Sequence, residues 1–162
     1  VASPTSLQDI VSSGLNVGLL SATWRVHASG LDDLEIIESG LQWLTGGCCE
    51  VIWKREKSFH GPPQHVAIAR TEKKREARSC FSRLGADVMS QLSEEGIGKR
   101  VDDEKTIHVR ISLSELCRGE IKLIKSGSRS STVKGTFKIE AYPGDDPIDV
   151  ASRLVSELSR ER

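Results

Sequence analysis

The side chains with most chemistry to offer in this sequence are cations. Arg25 and His27, and His108 and Arg110, stand two residues apart, and Lys134 and Lys138 four apart. Steps of two and four place residues on one side of an extended strand. Arginine grips phosphate through a planar fork of donors, and lysine acts as a mobile point charge. Longer basic stretches surround these pairs. Residues 53–83 carry nine basic against three acidic side chains, and residues 118–138 carry six against one. The other segments are acidic, so 23 basic and 23 acidic groups cancel to a formal net charge of zero. Attraction at a distance follows local surface potential, so a neutral chain can still hold a polyanion on one side. The groups expected to touch phosphate are Arg25, Lys54, Arg55, Lys57, His60, Arg70, Lys73, Lys74, Arg75, Arg78 and Arg110.

Catalytic chemistry finds little support. The sequence has no P-loop, no G-x-G-x-x-G after a strand, no H-E-x-x-H and no G-x-S-x-G. His60 and His65 flank a loop, without the i, i+4 spacing of a helical metal pair. Asp102, Asp103 and Glu104 form an acidic triplet that reads as a turn before a strand, not as a two-metal cluster. Cys48 and Cys49 are adjacent, Cys80 and Cys117 lie far away, and no C-x₂₋₄-C pair occurs. Cys80 and Cys117 read as small buried hydrophobes. The expectation is a non-catalytic protein without metal or cofactor.

The alternating pairs need strands to hold them. Ala22, Trp24, Val26 and Ala28 alternate with polar residues, as do Ile107, Val109, Ile111 and Leu113, and Val133 to Ala141 extends the pattern with a bulge expected at Gly135. Residues 49–57 and 65–71 read as a hairpin around the turn-rich loop 58–63. Leu34, Ile37, Leu41 and Leu44 recur at helical steps behind a capping box expected at Ser29 and Asp32. A second helix is expected from about Glu72 to Leu92, basic on its outer side. Ser114–Arg118 suggests a helical turn and Ile121–Ile124 a short strand. A last helix opens with Asp146 as N-cap and Pro147 in its first turn. Strands that alternate bury one face only. The fold class is therefore α+β: a two-layer sandwich with a mostly antiparallel sheet, helices packed on one face, and order βαββαβ(β)βα. Residues 1–19 read as an N-terminal extension and 20–162 as a single domain, since 162 residues suit one core.

The chain resembles an archaeal RNA-binding family often labelled predicted exosome subunit, whose domain is similar to the ribosomal protein that binds 5S rRNA. The resemblance covers about residues 20–160. It rests on the opening strand Ser21–His27, the loop Ser58-Phe59-His60-Gly61-Pro62-Pro63, the basic helix from Lys73, and the segment from Arg100 into Ile107–Leu113. The family favours Gly-Asn-Pro in that loop, and this chain has Pro62 in place of the Asn. The resemblance implies binding to structured or ribosomal RNA, association with an RNA-processing complex, and no catalytic residues.

The residues themselves agree with RNA backbone recognition. Three Trp, one Tyr and three Phe are few for stacking on bases, and Trp24 is expected inside. The alternative is a protein-interaction module that uses the open sheet face, with homodimerisation as one form. Unpaired cysteines and the lack of a secretory signal at the N-terminus point to the cytoplasm. No apolar stretch approaches the length that spans a membrane.

Overall fold

Alternating strands require something apolar to cover one side, and helical stripes supply it. The computed structural model describes residues 18–29, 32–56, 64–124 and 131–160. It contains strands β1 (Leu19–Ser29), β2 (Val51–Glu56), β3 (Gln64–Thr71), β4 (Thr106–Ser112) and β5 (Thr132–Ile139). The helices are α1 (Leu34–Thr45), α2 (Lys74–Ser82), α3 (Ala86–Glu95), α4 (Leu113–Cys117) and α5 (Pro147–Arg160), with a 3₁₀ turn at Ile97–Arg100. The element order is βαββααβαβα. The strands form one open sheet in the order β2-β3-β1-β5-β4, and every neighbouring pair is antiparallel. The class is α+β.

β1 lies at the centre, and its inward residues Ala22, Trp24, Val26 and Ala28 are buried. Phe137 of β5 meets Trp24 edge-on with ring centres 5.4 Å apart, and Phe81 of α2 at 4.8 Å. Ala77, Cys80 and Phe81 seat α2 against the sheet, and α5 packs on α3 through a face that includes Leu154 and Leu158. At the β2 edge the Trp53 indole donates to Glu38 of α1 at 2.9 Å. All of these contacts lie on one side of the sheet.

Several expectations shift in detail. The single helix from Glu72 to Leu92 is two helices, because Gly85 takes a φ of 93° and breaks the chain there. The N-cap of α1 is Asp33, whose carboxylate accepts from the amides of Glu35 and Ile36, whereas Ser29 ends β1. Gly135 is no bulge. Its pairing with Trp24 and Val109 is in continuous register, and the irregularity in β1–β5 falls at Leu19 to Ser21. Glycine is needed at 135 because the Trp24 ring lies over it: a Cβ there would come within 2.5 Å of a ring carbon. Ile121–Ile124 makes one bridge to β4, between Leu123 and Ile111, and no full strand. Leu19 belongs to the sheet, and the carbonyl of Gly18 accepts from the Glu140 amide at 2.8 Å. The rest of the expected extension lies outside the described residues. Among the described residues, no helix is long and apolar enough to cross a membrane.

Candidate nucleic-acid interface

Strand register decides which cations share a face. Arg25 of β1 pairs with Lys134 of β5, and Lys134 pairs with Arg110 of β4. The three side chains therefore stand in one row across three adjacent strands, on the side away from the helices. Strands lie about 4.8 Å apart, so the row spans about 10 Å. The next rows add His27 and Lys54 on one side and Arg70 and His108 on the other, with Lys138 one row beyond. Arg25, Lys134, Arg110, Lys54 and Lys138 are exposed, and none forms an ion pair with a carboxylate of the described residues. Like charges placed directly opposite on neighbouring strands repel. The sheet thus carries an internal electrostatic cost that a polyanion would relieve.

Two positions on this face are already matched. Arg70 donates to Glu72 at 2.8 Å, with both side chains more than half exposed. His108 Nε2 lies 2.6 Å from Asp102, and that hydrogen bond holds the Asp102 carboxyl below the usual carboxylate range. Asp102 also accepts from the amides of Glu104 and Thr106 at 2.9 and 3.0 Å. The acidic triplet is accordingly a turn that anchors the start of β4. Toward β2 the face becomes apolar, with Ile52 beside Ile68 and 53% exposed.

The basic helix α2 sits on the other layer. Lys74 at its start donates to Glu140 at 2.8 Å, Arg78 reaches Glu157 at 3.6 Å, and Lys73 lies 3.9 Å from Glu76. Burial opposes the charge on Glu140, and hydrogen bonds from Lys74 and the Tyr142 hydroxyl outweigh it, holding its carboxyl below the ordinary range. The same bond to Glu140 raises the Lys74 ammonium. Arg83, just past α2, donates to the carbonyls of Trp43 and Leu44 at the C-terminal end of α1. There it complements the negative end of the helix dipole. Arg75 is exposed.

The expected phosphate-binding set is therefore divided. Arg25, Lys54, Arg70 and Arg110 share the open face. Lys73, Lys74, Arg75 and Arg78 lie in the helical layer. Arg55 pairs with His65 and belongs to the helix-facing side of β2, because its neighbours Ile52 and Lys54 register with outward residues. Lys57 and His60 lie outside the described residues, as does the loop 57–63. Lys134 belongs to the centre of the row, and only the sheet register shows it: sequence spacing cannot tell which strand neighbours which.

The thiols depart from expectation. Cys80 is buried, as read from its apolar neighbours, but Cys117 is exposed on α4. Cys48, Cys49 and Cys80 come together, their sulfurs all within 4.8 Å of one another. No spacing rule could find this group, because Cys80 reaches it from a separate helix.

No family model matches the chain, and no curated protein matches it in sequence. Solved structures do match in fold. A DUF54 protein from Methanothermobacter thermautotrophicus superposes with a TM-score of 0.70 at 18% identity, covering 88% of this chain and 99% of the other. A protein of family model DUF54 from Archaeglobus fulgidus gives 0.66 at 19% identity, covering 84% and 99%. A third, from Sulfolobus solfataricus, gives 0.62 at 10% identity, covering 85% and 98%. The five-stranded sheet with its helical layer is thus an arrangement shared with archaeal DUF54 proteins.

Proposed function

We propose that the chain is a non-catalytic RNA-binding protein whose open sheet face holds a sugar-phosphate backbone. The observation that carries the reading is the row Arg25–Lys134–Arg110, cross-strand neighbours without carboxylate partners among the described residues. Lys54 and Lys138 extend it. With few aromatics available, contacts to phosphate and to backbone shape suit this surface better than stacking on bases. The resemblance to the archaeal RNA-binding family supports the same reading, and association with an RNA-processing complex follows from that resemblance alone. A cytoplasmic location accords with free thiols.

A salt titration of binding to a structured RNA tests the reading. If about four cations each engage a phosphate, log affinity against log salt slopes about −3 on single-stranded segments and about −3.6 on a duplex. A slope near zero, or affinity unchanged when Arg25, Lys134 and Arg110 are all replaced by Glu, rejects it. The exposed Ile52 next to Ile68 favours a second reading, docking of a protein partner at the β2 end of the face. A homodimer through the centre would set one cationic row against another. Light-scattering mass in the RNA-binding buffer separates the two, because a dimer without RNA affinity supports the second.

A further inference from the structure

Gly46 and Gly47 follow α1 with φ values of 69° and 78°. Two left-handed residues in succession turn the chain sharply from the helix toward β2. The turn delivers Cys48 and Cys49 to the flank of α2, where Cys80 points back at them. Cys48 Sγ lies 3.5 Å from Cys49 Sγ and 3.5 Å from Cys80 Sγ. The Thr45 carbonyl accepts from the Cys48 thiol at 3.0 Å, with Cys80 Sγ 3.9 Å away. All three are free thiols; Cys49 and Cys80 are buried and Cys48 is half-buried.

Zinc–thiolate bonds are about 2.3 Å, so sulfurs around one ion stand about 3.8 Å apart in a tetrahedron and about 4.0 Å apart in a plane. Two of the three sulfur pairs stand at 3.5 Å and the third lies within 4.8 Å, close to that arrangement. As thiols they gain little from it, since S–H is a weak donor and sulfur a weak acceptor. Burial, reinforced by the Cys48 sulfur, pushes the Cys49 thiol up to about 12, and burial with the Cys48 and Cys49 sulfurs raises Cys80 as well. A cation is what would let such a group ionise together, because each thiolate then faces a positive charge.

We propose that Cys48, Cys49 and Cys80 form a binding site for one thiophilic divalent cation of the zinc type. Three S–H groups lose their protons to solvent, three sulfur–metal bonds form, and no electrons are transferred. The complex keeps one negative charge, with the Arg83 guanidinium at the neighbouring carbonyls of Trp43 and Leu44. Half-buried Cys48 gives the ion its way in. The site joins the end of α1, the approach to β2 and the body of α2, beside the Arg83 contacts that already tie the end of α2 to the end of α1. Its role is to fasten the β2 edge of the sheet to the helical layer.

The test uses the whole protein, reduced, stripped with a chelator and kept free of oxygen. Titration with Cd²⁺ is expected to produce a sulfur-to-metal charge-transfer band that saturates at one equivalent, with about three protons released per ion. Zn²⁺ titrated alone gives no such band and is expected to release the same number of protons at one equivalent. Cys117→Ser retains full binding, whereas Cys48→Ser and Cys80→Ser each lose roughly 100-fold or more in affinity. The wild-type proton count needs no variant, so it decides the matter even if Cys80→Ser does not fold. A missing band, release of fewer than two protons, or a band that survives Cys48→Ser overturns the proposal. So does air oxidation to a Cys48–Cys80 disulfide in a protein whose reduced form takes up no metal.

Discussion

The open sheet face and helix α2 are both basic in sequence, and they differ in how far carboxylates pair their cations. On the helix, Lys74 is matched by Glu140, Arg78 by Glu157 and Lys73 by Glu76, while Arg83 is engaged by the carbonyls ending α1. On the sheet, Arg25, Lys134 and Arg110 stand side by side without such partners among the described residues. Pairing depends on chain segments far apart in sequence: Glu140 and Glu157 follow Lys74 by the length of several elements. Counting charges in a window therefore measures supply, and the fold determines what is left for a ligand.

The sharpest way to break this contrast is charge reversal. Lys134→Glu with Arg110→Glu removes two of the proposed phosphate contacts and adds repulsion. RNA affinity is expected to fall about 100-fold near physiological salt, and the salt slope to flatten by about 1.5. Lys73→Glu with Arg75→Glu makes the same formal change on α2 and is expected to shift affinity less than about threefold. Anisotropy titrations on both double variants give the comparison. Equal losses would mean that the two layers act as one surface.

A second pair of substitutions contrasts the two sides of β5 at adjacent residues. Gly135 faces the helices beneath the Trp24 ring, and an added Cβ meets three ring atoms at under 3 Å. Gly135→Ala is expected to destabilise the fold by about 2 kcal/mol, the scale of overpacking a well-filled core. Lys134→Thr, one residue earlier, removes a like-charge neighbour from Arg25 and Arg110. It is expected to leave stability unchanged or raise it by about 0.5 kcal/mol. Urea unfolding midpoints check both.

These neighbours also show how much was legible. Alternation in β1, β4 and β5 told inside from outside correctly, because a strand's period of two is local. It could not tell that β5 lies between β1 and β4, and so it could not place Lys134 at the centre of the row. Gly135 reads as a bulge for a similar reason. Glycine in a strand signals either irregular backbone or a bulky cross-strand neighbour, and Trp24 is more than a hundred residues distant in sequence. The break between α2 and α3 was hidden because Leu84, Val88 and Leu92 continue the helical stripe across Gly85, so burial is periodic even though the backbone is not. The thiol group was invisible because metal-ligand spacing rules apply to ligands on one local unit.

The ion pairs of the helical layer predict a pH dependence that the row does not. Burial disfavours charge on Glu140, but Lys74 and Tyr142 hold its folded-state carboxyl below the unfolded value. A depressed carboxyl contributes stability that is present above the unfolded value and lost as pH falls through the folded one. Unfolding free energy is thus expected to decline on the acid side of the carboxylate range, with Glu140 supplying part of the slope. Glu140→Gln removes that part and costs about 1 kcal/mol at neutral pH, discounted because the Lys74 side chain is half exposed. Stability curves at pH 7 and pH 3 for both proteins measure it. A parallel decline in the variant would show that Glu140 is not the group responsible.

The smallest effect expected is the most specific to the sheet face, and it comes from Asp102. This carboxylate is the one found within ion-pair distance of His108, two residues along β4 from Arg110, so it subtracts from the potential that the row presents. Asparagine at this position keeps an oxygen for the amides of Glu104 and Thr106 and should preserve the turn. What is lost is the charge and the second carboxylate oxygen, the one that faces His108. Asp102→Asn is therefore expected to tighten RNA binding about two- to threefold at low salt, with the gain vanishing as the Debye length shrinks below the distance to the row. A helix counterpart, Glu157→Gln, frees no cation on the sheet face and should leave affinity as it was. If Glu157→Gln gives the larger gain, the ligand lies along α2, and the paired cations of the helical layer are the ones that matter.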